Sequence, residues 1–185
     1  MSEKNIVTII VGDDCVLEAI AIRGCLEYLG FTVIFRLIGR PNDLVKILRN
    51  DELTGISSYL IFCFHGQAGK FLMPKLSEDI YQMTEQKGNF SYKQIAKLAD
   101  LNGQHIIVTG CTLGQKKLAE SFLECNAKTY VGANGYPDGN SVLIFVNTLF
   151  YFLSQGESYS KAFAKANNID EETKMFEKYD KEIPN

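Results

Sequence analysis

The chain has 185 residues, 46% hydrophobic and 22% charged, the proportions of a globular protein long enough to bury the core of one domain. A formal net charge of −3 argues against nucleic acid as the main partner, because phosphate binding normally shows as a basic excess. No run reaches the roughly eighteen apolar residues that a membrane span needs, and the opening Met-Ser-Glu-Lys-Asn leads straight into a strand-like run, not into a signal peptide.

Residues Asn5–Val11 form a short, β-branched, nearly continuous apolar run ending at Gly12, the pattern of a strand buried on both faces of a parallel sheet. Asp13 or Asp14 can cap the helix that follows, which carries Val16, Leu17, Ile20, Ile22, Leu26 and Leu29 to a stop at Gly30. Phe31–Ile38 reads as a second strand, Asn42–Arg49 as a short helix and Tyr59–Phe64 as a third strand ending at His65-Gly66. Between Gln67 and Phe90 the alternation lapses, which predicts an insertion with a small hairpin. Ser91 then caps a helix to about Ala99. Ile106–Thr109 is a fourth strand ending at Gly110-Cys111, and a helix covers Gln115–Glu124. Thr129–Val131 is a fifth strand, ending at Gly132. Helices follow at Ser141–Ser154 and Ser158–Asn167, and the charged tail after about Ile169 reads as frayed. Strands alternating with helices predict an α/β three-layer αβα sandwich with a mostly parallel sheet of five to six strands. With no repeat or linker, residues 1–185 read as a single domain.

Reactive groups in an open parallel sheet collect at the carboxyl ends of its strands. Those ends carry Asp13, Asp14 and Cys15, then His65 and Gly66, then Cys111. His105, the second of two histidines, stands at the opposite end of its strand, on the order of 20 Å from Cys111 if that stretch is extended. His65 can meet Cys111 if the third and fourth strands are neighbours. A cysteine attacks as the thiolate, which a nearby imidazole favours while also supplying a proton to the leaving group. Gly66 frees backbone N–H groups to face a substrate carbonyl, and with the Cys111 N–H could form an oxyanion hole.

The five cysteines are irregularly spaced and read as free thiols in a reducing, cytoplasmic compartment. Cys63 falls in a strand and Cys25 and Cys125 on helices, so packing explains them. Cys15 is the rival thiol, but its acidic neighbours oppose ionisation. Only Cys63-Phe64-His65 approaches metal-ligand spacing, with no second pair to complete a site; neither metal nor cofactor is expected. The acidic pair after the first strand lacks the partner residues of a phospho-accepting receiver domain, and no glycine-rich nucleotide loop follows that strand.

The strand Tyr59-Leu-Ile-Phe-Cys-Phe-His65-Gly66, a helix, and the strand His105-Ile-Ile-Val-Thr-Gly-Cys111 together resemble the signature of the caspase-like cysteine peptidases, a group with caspases, metacaspases, gingipains and separase. Within it the chain is most similar to bacterial CHAT domains, through Gly114, Leu118-Ala119 and Phe122, then Ala127–Gly132, Pro137-Asp138 and a final helix with Tyr159, Ala162 and Ala166. The resemblance runs from Ser57 to Asn168. It implies Cys111 as nucleophile, His65 as general acid/base, the Gly66 and Cys111 N–H groups as oxyanion donors, and a protein or peptide substrate.

The sequence also departs from the group. Phe64 precedes His-Gly where a small residue is common, Gly110 precedes the cysteine where Ala or Ser is common and would loosen the turn, and Thr109 stands where basic-specific members carry Asp. Asp13, Asp14 or Asp138 could supply pocket charge instead, against the plainer roles of helix cap and turn former. The insertion at 67–90 beside the site reads as a lid or as a contact for a regulatory partner. A homodimer is compatible with the chain. The rival to a peptidase is a catalytically silent or partner-dependent caspase-like interaction module, since fold does not dictate function.

Overall fold

The structure is a computed structural model and describes residues 5–50 and 54–181; the N-terminal leader expectation falls on residues outside that range. The strands run β1 (Ile6–Val11), β2 (Thr32–Leu37), β3 (Tyr59–Cys63), β4 (Gly66–Gln67), β5 (Lys70–Phe71), β6 (His105–Val108), β7 (Thr129–Ala133) and β8 (Phe176–Asp180). The helices are α1 (Val16–Tyr28), α2 (Pro41–Leu48), α3 (Tyr92–Leu98), α4 (Lys116–Glu124), α5 (Gly139–Ser154) and α6 (Tyr159–Asn167). Six strands form the central sheet in the order β2-β1-β3-β6-β7-β8, all parallel except β8, which pairs antiparallel with β7.

Strand alternation divides the core in two. Val7, Ile9 and Val11 of β1, with Ile61, Cys63, Ile107 and Val131, face a layer that includes Ile22, Leu26, Phe145, Leu149 and Ala162 of α1, α5 and α6. Ile10, Leu60, Phe62, Ile106 and Val108 face the opposite layer, with Leu44, Ile95, Leu118 and Phe122 of α2, α3 and α4. Burial on both faces explains the near-continuous apolar runs of β1, β3 and β6.

Two expectations need correction. Neither Asp13 nor Asp14 caps α1: the N-cap is Cys15, with no side-chain cap hydrogen bond, while Asp13 and Asp14 lie exposed in the turn and Asp14 takes a left-handed φ of 56°. The tail is also not frayed through residue 180. Phe176 stacks on Phe145 with centroids 3.9 Å apart, and the Asn167 side-chain amide donates to the carbonyls of Thr173 and Phe176. These ties seat β8 as an edge strand, where charged side chains are tolerated because one edge faces water.

The insertion after β3 opens with the expected hairpin, Gly66↔Phe71 and Gln67↔Lys70, whose two turn residues Ala68 and Gly69 both have positive φ. Its remainder is held by a clamp. Glu85, whose side chain is fully buried, accepts from Arg40 Nε at 3.0 Å and Nη2 at 2.6 Å and from the backbone N–H groups of Asn42 and Gln82. Those bonds hold its carboxyl down at about 2, the Arg40 guanidinium contributing most.

Candidate functional site

β3 and β6 are parallel neighbours, and each ends within three residues of one of the two expected residues. Tyr59 stands opposite His105 and Phe62 opposite Val108, and the Thr109 N–H continues the ladder to the Phe62 carbonyl at 3.1 Å. Carried three residues further, past the ends of both strands, that register would set His65 beside Cys111. The alternation that points Ile61 and Cys63, with Ile107, toward the α1/α5 layer would, if it continued, put His65 and Cys111 on that same side. His65 is exposed and Cys111 half-buried.

The backbones of these two strand ends are pressed together. A Cβ on Gly66 would lie 2.1 Å from the Cys111 carbonyl oxygen, and one on Gly110 would lie 2.3 Å from the Phe64 carbonyl oxygen and 3.0 Å from the Gly66 nitrogen. Both positions therefore require glycine. Gly110 does not loosen the turn; it allows the close approach. Phe64 is correspondingly buried in the α2/α3/α4 layer and packs edge-on against Phe71 of the hairpin.

Beyond Cys111 the chain makes a locked turn. Thr112 has a left-handed φ of 58°, an uncommon conformation for a β-branched residue. Its N–H donates to Gly135 O at 2.7 Å, and its hydroxyl accepts from the Gly69 N–H at 3.3 Å. The buried Tyr130 hydroxyl donates to Leu113 O at 2.7 Å, and Gly114 N–H to Ala133 O at 2.8 Å. The turn is thus tied to both the hairpin and β7, while the Cys111 N–H has no hydrogen-bond partner among the described residues. α4 begins only at Lys116, after this turn.

The other thiols and histidine fit structural roles. Cys15 is buried at the start of α1, and burial, then Glu18 and the two aspartates, push its thiol up to about 12 against the opposing bond with the His65 backbone. Cys63 is buried and its thiol is pushed up by burial first and by Glu18 second. His105 lies at the far ends of the strands, in a cluster with the rings of Tyr59 and Tyr159 at 5.2 and 4.2 Å, with Nδ1 2.8 Å from Thr129 Oγ1. Burial lowers its pKa to about 4.

The three expected pocket carboxylates follow the carboxyl ends of β1 and β7. Asp13 and Asp14 project from the turn after β1, and Asp138 is the N-cap of α5, accepting from the Asn140 N–H at 2.9 Å. The carboxylate brought inward is Glu18, which lies against the Cys63 thiol and whose Oε1 is buried with no hydrogen-bond partner among the described residues. The signal for it was present: Cys15, Ala19, Ile22 and Leu26 form the buried stripe of α1, and Glu18 borders that stripe.

No family model matches the sequence, and no curated protein matches it significantly. Solved structures do share its fold. Separase of Saccharomyces cerevisiae, in complex with securin, superposes with a TM-score of 0.59 at 15% identity, covering 96% of this chain and 12% of that one. The Arg-specific cysteine proteinase gingipain R superposes with a TM-score of 0.55 at 11% identity, covering 93% of this chain and 45% of that one. The fold is caspase-like. The chain spans less than half the length of either relative, so it corresponds to one part of each. Among the described residues no helix is long and apolar enough to cross a membrane.

Proposed function

We propose that the chain is a caspase-like cysteine endopeptidase in which Cys111 is the nucleophile and His65 the general acid/base. The observation that supports this reading is the parallel β3–β6 register, Phe62 opposite Val108, whose continuation would set His65 level with Cys111. His65 takes the Cys111 thiol proton as Sγ attacks the scissile carbonyl carbon. The carbonyl oxygen becomes an oxyanion, for which the N–H of Cys111, unpartnered among the described residues, and that of Gly66 are the donors. His65 then returns the proton to the leaving amine, and water, deprotonated by His65, cleaves the thioester and regenerates the thiol. No step needs a metal or cofactor. The CHAT-like character of the chain belongs to this reading and rests on the sequence pattern from Gly114 to Ala166.

A partner-dependent form of the same module is the second reading, favoured by the separase neighbour having been solved bound to securin. Free cysteines throughout the described residues support a reducing, cytoplasmic setting. One experiment separates the readings. A peptide library is incubated with the wild-type chain and with Cys111→Ala, and a thiol-directed electrophile is mapped by mass spectrometry. The peptidase reading expects cleavage lost in the variant and labelling at Cys111. Labelling at Cys15 with Cys111 silent would remove the nucleophile assignment.

A further inference from the structure

We propose that the α2–α3–α4 side of the molecule is a docking groove for an acidic, extended peptide segment of a protein partner. Two neighbouring cavities carry this. One, about 590 Å³, lies between α2 and α3 and is lined by Lys46, Arg49, Lys93 and Lys97. The other, about 370 Å³, lies between the β4–β5 hairpin and the starts of α3 and α4, and is lined by Lys70, Lys93 and Lys117. Lys93 belongs to both, so the two form one path. Among the described residues, six cations line it and no carboxylate does. All six are exposed, and none makes a salt bridge among the described residues.

In a chain of net charge −3, that concentration of positive charge on one side is not the average surface. The nearby Arg40 and Lys87 do carry partners, Glu85 and Glu78. Val45, Leu98 and Leu118 line the floor, and Lys117 Nζ sits 6.0 Å over the Tyr92 ring, so the groove offers apolar contact between its charges. An acidic segment with interspersed apolar residues matches both features. A long polyanion such as nucleic acid would also meet the negative remainder of the chain. The groove ends at the hairpin that follows His65-Gly66, so a segment lying in it leads toward the strand ends. The proposal concerns binding and does not require the peptidase reading.

The test uses the full chain and a fluorescein-labelled peptide alternating Glu and Leu, about ten residues long, at roughly 3.3 Å per residue when extended. Fluorescence anisotropy should show saturable binding that weakens as salt rises. Lys93→Glu, at the shared position, should weaken it about tenfold, and Lys161→Glu on α6 should leave it within about twofold. If Lys93→Glu does not fold, as judged by its thermal midpoint, Lys97→Glu takes its place. Absence of binding, equal losses in the groove and α6 variants, or tighter Lys93-dependent binding of a single-stranded oligonucleotide of equal charge would each overturn the proposal.

Discussion

A Cβ placed on Gly66 would stand 2.1 Å from the carbonyl oxygen of Cys111, closer than any two such atoms can approach. The ends of β3 and β6 are therefore held at a spacing that only glycine permits, and Gly110 makes the reciprocal approach to Phe64 O at 2.3 Å. In both cases the obstacle is backbone, which cannot rotate aside. Gly66→Ala and Gly110→Ala should each destabilise the fold by about 2–3 kcal/mol, read as a lower urea midpoint. Gly24→Ala is the contrast, because nothing lies within 4 Å of its Cβ position in α1. That change should raise stability by about 0.5–1 kcal/mol.

If Cys111 and His65 act as proposed, removing either should disable the chemistry while leaving the fold in place. Neither side chain is part of the packed core, since His65 is exposed and Cys111 half-buried. His65→Ala should lower peptide cleavage by about 10²–10⁴-fold, the usual worth of a positioned acid/base, and Cys111→Ala should abolish it. Thermal midpoints close to the wild-type value would show that the losses are chemical.

Much of this arrangement was legible in the sequence because strand-end residues follow from strand boundaries, and those boundaries are marked by apolar runs ending at Gly12, His65-Gly66 and Gly110. The exclusion of His105 followed from the same logic, and it does lie at the opposite ends of the strands. β8 was not legible, because Phe176–Asp180 carries three charged residues and one edge of apolar contact; Phe176 on Phe145 and the Asn167 bonds settle it through tertiary packing. Glu18 was missed because an acidic residue in the first turn of a helix ordinarily reads as a surface residue favoured by the helix dipole.

Acid should unfold the protein in two overlapping steps. His105 is held near 4 in the fold but takes a proton near 6.5 when unfolded, so the unfolded state binds more protons between those values. The stability it confers is complete above about 6.5 and lost as pH falls toward 4. Glu85, lowered to about 2 from 4.5, contributes stability that is complete above about 4.5 and lost as pH falls toward 2. Urea midpoints measured from pH 7 to 3 should fall across both windows. His105→Phe should flatten the upper one. Glu85→Gln should flatten the lower one, and by undoing the Arg40 clamp should also expose Lys87 to limited proteolysis by trypsin.

Glu18 gives a prediction about substrate preference that depends on the peptidase reading. A carboxylate oxygen buried without a partner is costly in the free protein, and a cation brought by the substrate would satisfy it. The wild-type chain should then cleave peptides with Arg or Lys before the scissile bond faster than those with Leu or Asp. Glu18→Gln should reduce cleavage of the Arg peptide by about tenfold or more and leave the Leu peptide nearly unchanged. Glu18 also hydrogen-bonds the buried Cys63 thiol, and glutamine keeps an acceptor there, so the same variant should keep close to the wild-type urea midpoint. A Glu18→Gln protein that cleaves Arg and Leu peptides in the wild-type ratio would place the specificity carboxylate elsewhere, with Asp13 and Asp14 the next positions to substitute. Failure of both proteins to cleave either peptide, with Cys111 unreactive, would count against the peptidase reading on which this preference rests.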